Sequence, residues 1–209
     1  MWRFTLFDFP VVVHWQFWLT TALLGGSMGM GWLVLWVAIV FVSILGHELG
    51  HALAMRRFGD RNVNISLYAF GGLAQGGYWR SRNQQIIISA AGPAFSASLG
   101  LLGWLVSAIL GADGGPAEIV LSFWLWVNIG WTLFNLLPVI PLDGGRISEA
   151  LFGPARAHQA YKLSMIVAMV MAVIGLLHNG LWMALLFGMM AYSNWQQLHG
   201  RTPPDLMRP

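Results

Sequence analysis

The sequence predicts a mostly α-helical membrane protein: six transmembrane helices with a small membrane-associated β-sheet near the cytoplasmic face. Three observations predict it. Of 209 residues, 57% are hydrophobic and only 9% charged, against about 25% charged in a soluble domain. The few charges leave four long charge-free runs. All 11 Lys and Arg then fall in segments on one side of the resulting helices. The same composition excludes a disordered chain, which needs low hydrophobicity and high charge. Cysteine is absent, which excludes a disulfide framework, thiolate zinc sites and cysteine nucleophiles. The length suits one domain over residues 1–209.

The runs are Phe9–His47, Asn83–Ala112, Ile119–Leu142 and Leu163–Gly200, of 39, 30, 24 and 38 residues. A spanning helix needs about 20 residues, so two runs hold one span each and two hold a pair. Gly25-Gly26-Ser27 breaks the first run. His178-Asn179-Gly180, a turn signal, breaks the last. The expected helices cover 11–25, 31–57, 83–111, 118–137, 159–177 and 181–198.

Six spans put both termini on one side, with segments 1–10, 58–82, 138–158 and 199–209. Arg3, Arg56, Arg57, Arg61, Arg80, Arg82, Arg146, Arg156, Lys162, Arg201 and Arg208 all lie there or in adjoining helix ends. The opposite loops hold Asp113, Glu118 and His178 and no basic residue. The positive-inside rule therefore places both termini in the cytoplasm. The net charge of +3 is a topology signal and calls for no nucleic-acid partner. No secretory leader is expected at the N-terminus, where Trp2–Leu6 alternates like a strand before Pro10. Asn62–Ala69 alternates with period 2 as well. Gly71-Gly72 then reads as a turn, with Leu73–Tyr78 returning as a second strand.

The chemistry begins in the second helix. His47 and His51 lie one turn apart on one face with Glu48 beside them. This is H-E-x-x-H, in which two imidazoles bind zinc and the Glu is a general base. His47 precedes Arg56 by nine residues, about 13 Å of helix. Ionisable groups at such depth in a membrane are costly, and they mark functional sites. The alternative is a set of helix-end groups that snorkel or cap. A catalytic zinc site usually has three protein ligands and one open position. Asp143, after Pro138 and Pro141 and before Gly144-Gly145, is the best candidate for the third. The prolines end the fourth helix, and the glycines permit a sharp turn. An N-cap role for Asp143 is compatible with ligation. Asp60, Asp113, Glu118 and Asp205 fall in loops.

His47-Glu48-Leu49-Gly50-His51, the run Asn135 to Gly145 with its Leu-Asp-Gly core, Ala91-Gly92-Pro93 entering the third helix and the six-helix layout together resemble the site-2 protease family of intramembrane zinc metalloproteases. The likeness covers nearly the whole chain. It implies one catalytic zinc and cleavage of substrate transmembrane segments near the cytoplasmic side. It also implies a transmembrane protein substrate, such as a membrane-anchored signalling regulator, and a cytoplasmic (inner) membrane location. PDZ and CBS domains, frequent in the family, do not fit in the 25 residues between helices two and three or the 11 after the last. The chain therefore resembles a minimal catalytic core.

The roles follow. His47, His51 and Asp143 hold the metal, which activates water and polarises the scissile carbonyl. Glu48 takes a proton from water and passes it to the leaving amine. Asn135 is the expected oxyanion donor, on the strength of the family motif. Asn128, on the same face with Thr132 between, reads as an interhelical hydrogen-bonding residue. His14 reads as an interfacial anchor. Ser89, Gly92 and Ser96 form a small-residue face expected to pack on the second helix, and the 12 Trp belong to belt and core. A strand edge at Gly71, Gly72, Leu73, Ala74 and Gln75 is expected to hold the unwound substrate by strand addition. The rival readings are a metal-handling transporter, a different membrane zinc protease and a non-proteolytic scaffold. A transporter needs polar groups across the whole bilayer, and here they cluster toward one side.

Overall fold

A computed structural model describes residues 1–27, 29–69, 71–77, 80–111 and 115–200. Tyr78, Asp113, Arg201, Asp205 and Arg208, which bounded a strand, a loop and the basic C-terminus above, lie outside the described residues. Contacts divide the chain into two compact units: residues 1–79 with 91–133, and residues 80–90 with 134–209.

The first unit opens with a hairpin of β1 (Trp2–Leu6) and β2 (Phe9–Val13). Phe7 and Asp8 link them with φ of 49° and 67°, the sign that a tight turn between twisted strands needs at both positions. Helix α1 (Trp15–Leu24) and helix α2 (Met30–Arg57) follow, then strands β3 (Asn64–Tyr68) and β4 (Gly71–Gln75). The sheet order is β1-β2-β3-β4. Strands β1–β2 and β3–β4 are antiparallel, while β2 and β3 run parallel with Val11 opposite Ile65. The His14 amide extends this ladder to the Leu67 carbonyl at 2.9 Å.

Two expectations change here. The first predicted helix, 11–25, loses its start to β2. Phe9, Val11 and Val13 are buried in alternation with exposed Pro10, so this β-branched run packs as a strand face. The remaining ten residues of α1 make about 15 Å of helix, half the hydrocarbon thickness of about 30 Å. Gly71-Gly72, expected as the turn, instead begins β4. A Cβ on residue 72 would collide with the Glu48 side chain, so that glycine is required by packing.

Helix α3 (Arg82–Leu110) and helix α4 (Pro116–Asn135) complete the first unit from Ala91 to Leu133. Gly46 and Gly50 let α2 approach α3. A Cβ at 46 would press on Phe95 and Leu99, and one at 50 on the Ala91 carbonyl. Small residues four apart are the usual way membrane helices pack backbone to backbone. Gly100 and Gly103 do the same for Ile129 and Trp124 of α4, and Trp124 Nε1 donates to the Leu99 carbonyl at 2.7 Å.

The second unit holds helix α5 (Asp143–Phe152), a 3₁₀ turn at Pro154–Arg156, helix α6 (Ala157–Leu177) and helix α7 (Leu181–Leu198). Val139, Leu142, Ala168, Phe187 and Ala191 form its core. Helices α6 and α7 meet through Gly175, whose missing side chain admits the backbone of Ala184. Asn179, with φ of 56°, makes the turn between them.

Among the described residues, four helices are long and apolar enough to cross a membrane: Met30–Arg57, Arg82–Leu110, Pro116–Asn135 and Pro154–Leu177. Helix α7 keeps its predicted bounds at 181–198, but its final turns carry Ser193, Asn194, Gln196 and Gln197, which lower its apolarity.

Candidate metal and catalytic site

Helix α2 carries His47, Glu48 and His51, all buried. His47 Nε2 and His51 Nε2 lie 3.2 Å apart, with the rings edge to face at 81°. Two nitrogens ligating one zinc at about 2.0–2.1 Å in a tetrahedron stand roughly 3.3 Å apart. The pair therefore has the spacing that one zinc ion requires.

Their surroundings fix that spacing. His47 Nδ1 lies 3.1 Å from Ser96 Oγ on α3. With Nδ1–H donating to the hydroxyl, the Nε2 lone pair is left for a metal, the usual arrangement of metal-binding imidazoles. The His51 imidazole occupies the place a Cβ on Gly92 would take. Trp131 of α4 meets His47 edge to face, with ring centroids 6.2 Å apart, and its indole also reaches Gly71 of β4. The Glu48 carboxylate lies over Gly72. Strand β4, an edge of the sheet, is thus packed directly on the candidate base.

Gly92 and Ser96 sit against the second helix, as the small-residue face implied. Ser89 is buried and accepts from Gln85 Nε2 at 3.2 Å. Ala91-Gly92-Pro93 lies well inside α3 rather than at its entrance. Asn128 Nδ2 donates to Ser43 Oγ at 2.9 Å, an interhelical bond as expected. Thr132 donates to the Asn128 carbonyl at 2.8 Å. His14 stands at the N-cap of α1 with no capping bond from its side chain. Asp60 is buried and accepts the Gly77 amide at 3.2 Å, tying the exit of β4 to the C-terminal end of α2.

Asp143 and Asn135 belong to the second unit. Asn135 is buried and ends α4. Asp143 is half-buried and is the first residue of α5; Leu142, rather than Asp143, is the N-cap. A Cβ on Gly144 would strike the Leu136 and Leu137 carbonyls, and one on Gly145 the backbone of Val139 and Ile140. The two glycines therefore let α5 start directly on the coil that follows α4.

Sequence reasoning assigns neither Trp131 nor Ser96 to the site, and it gives Gly72 a place on the substrate edge rather than its contact with Glu48. Trp131 carried a signal: it stands three residues after Asn128 and four before Asn135, hence on their helix face.

Comparison with known proteins bears on the site. The sequence profile of Peptidase family M50 matches residues 35–114 and 111–178. A Mycobacterium tuberculosis protein assigned as a zinc metalloprotease, Rip3, is 33% identical over 196 residues, covering 86% of this chain and 46% of that one. A zinc metalloprotease of Methanocaldococcus jannaschii is 30% identical over 185 residues, covering 83% of this chain and 53% of the relative. The chain thus spans about half the length of these curated relatives. The solved site-2 protease from M. jannaschii matches with a TM-score of 0.69 at 24% identity, over 100% of this chain and 98% of the other. That likeness concerns the fold.

Proposed function

The chain belongs to peptidase family M50, and from that premise we propose that it is an intramembrane zinc metalloprotease, hydrolysing peptide bonds within transmembrane segments of membrane-anchored proteins. The observation that carries the reading is the His47–His51 pair, with Nε2 atoms 3.2 Å apart and Glu48 between them on the helix. Relatives named as zinc metalloproteases support it.

His47, His51 and Asp143 are a donor set that could hold a metal ion, and we assign them as the zinc ligands. Bound zinc supplies a Lewis acid and lowers the pKa of water toward 7. Glu48 accepts the proton of the attacking water and returns it to the departing amide nitrogen. Asn135 donates to the developing oxyanion. The Ser96 hydroxyl, Gly92 and Trp131 hold the two imidazoles in place. The two units act together as one protease domain.

The topology proposed is of six passes with both termini in the cytoplasm, in a cytoplasmic membrane. The support is the segregation of the basic residues. Helices α1 and α7 are the short passes, and α1 needs local thinning of the bilayer to serve as one. The chain has no cysteine, so single-cysteine labelling reads topology directly. In intact cells Gly76→Cys should be protected from an impermeant reagent and His178→Cys labelled; the reverse pattern would refute the map.

The substrate is a transmembrane helix, and it must unwind to expose a peptide bond. The freed backbone groups cost several kcal/mol each in lipid. Strand β4, Gly71–Gln75, has an outer edge on which no strand pairs among the described residues and sits on Glu48. It supplies the backbone partners for an extended substrate without reading side chains. The test is a reconstituted assay with a single-pass reporter, the product cut sites located by mass spectrometry. Cuts should map inside the apolar segment. Proline removes a backbone donor, so whichever of Leu73→Pro and Ala74→Pro affects the outward-facing amide should lose cleavage with zinc content unchanged. If both fold, bind zinc and cleave normally, another surface holds the substrate.

A further inference from the structure

The polar groups buried in α6 and α7 play no part in the mechanism above, yet they make specific bonds. Ser164 of α6 is fully buried and Asn194 of α7 is 2% exposed. Both lie in helices that otherwise present apolar side chains to their core. The Ile140 amide donates to Ser164 Oγ at 3.1 Å. Asn194 Nδ2 donates to the Ile140 carbonyl at 2.8 Å and to the Met190 carbonyl at 2.7 Å. One peptide residue is therefore gripped at its N–H by one helix and at its C=O by the next.

Ile140 is three residues before Asp143, and the coil between them is tight. Val139 N–H donates to the Leu137 carbonyl at 2.7 Å and Leu142 N–H to the Val139 carbonyl at 2.7 Å. Val139 is fully buried in the core formed with Ala168 of α6 and Phe187 and Ala191 of α7. The Asn194 amide is oriented by two carbonyl acceptors, so its Oδ1 is left buried with no hydrogen-bond partner. An unsatisfied buried acceptor costs about 1–3 kcal/mol.

We propose that Ser164 and Asn194 are positioning residues: they clamp the Ile140 peptide so that the coil delivers the Asp143 carboxylate to the metal in one fixed place. They touch neither metal nor substrate and act through Asp143. This rests on the assignment of Asp143 as a zinc ligand, and the experiment separates the two.

The measurement is zinc affinity of the purified full chain in detergent, by competition with a chromophoric chelator, with metal-free thermal stability recorded beside it. Partners that orient metal ligands are worth about 10–100-fold in affinity. Asn194→Leu and Ser164→Ala should each weaken zinc binding about 10-fold. In the Asp143→Ala background the same substitutions should weaken it no further, because the ligand they position is gone. A merely structural role predicts an equal loss in both backgrounds, and that result overturns the clamp. Unchanged affinity in both single variants overturns it too. If Asn194→Leu does not fold, Ser164→Ala, which removes only a hydroxyl, decides by the same two criteria. Unchanged affinity in Asp143→Ala alone would instead remove the ligand assignment and the clamp with it.

Discussion

Glu48→Gln is expected to reduce cleavage by about 10²–10⁴-fold, the usual worth of a positioned general base, while zinc remains bound. The amide is nearly isosteric with the carboxylate, so its packing on Gly72 survives, but it takes no proton from water. His47→Ala and His51→Ala should lose the metal itself as well as activity. Zinc content by atomic absorption, beside cleavage of the reporter, separates the two classes. Chelation of the parent protein should copy the histidine variants and be reversed by added zinc. Near-normal proteolysis by metal-replete Glu48→Gln would end the general-base assignment.

Gly92→Ala is expected to be nearly as damaging, although residue 92 bears no reactive group. Its new methyl would enter the volume of the His51 imidazole. Backbone close to α2 on the other side, where Gly50 faces the Ala91 carbonyl, leaves little freedom to separate the helices. The ring must turn away, and the 3.2 Å separation of the two Nε2 atoms is lost with it. Zinc affinity should fall at least about 10-fold, by the scale seen when groups that orient metal ligands are changed. Gly188→Ala is the control: nothing lies within 4 Å of that added carbon, and alanine is the better helix former by about 1 kcal/mol. It should leave zinc binding unchanged. Equal affinity in Gly92→Ala would show that the ring has room the packing denies.

The parts legible in the sequence were those written in periodic or compositional form. Helix α2 could be read from its apolar length, its pair of histidines from the four-residue spacing, and β1 and β3 from alternation. Strand β2 could not. Val11, Val12 and Val13 continue the apolar run into α1, and only pairing with Ile65 and Leu67, distant in sequence, makes them a strand. The turn between β3 and β4 was misplaced for a related reason. A Gly-Gly pair signals a turn locally, whereas Gly72 answers to the Glu48 side chain, contributed by a different element. Ser164 and Asn194 looked like ordinary polar interruptions of membrane helices; their partner is the backbone of Ile140, and backbone partners leave no mark in a sequence.

The parallel pairing of β2 with β3 also bears on biogenesis. The N-terminal hairpin leaves the ribosome first, but its partner strand follows only after α1 and α2, about fifty residues later. At 5–20 residues per second, that is a delay of roughly 3–10 s. During it β2 presents a bare, β-branched edge, and Glu48 has no strand over it, because β4 can pair only once β3 exists. Assembly of the sheet and closure over the candidate base are therefore the same late event. A nascent chain stalled before Asn64 would carry both histidines and Glu48 while lacking the strands that cover and address them. Such a chain would also lack Asp143, so the candidate metal donors and the strand packed on Glu48 come together only after the first two helices are made.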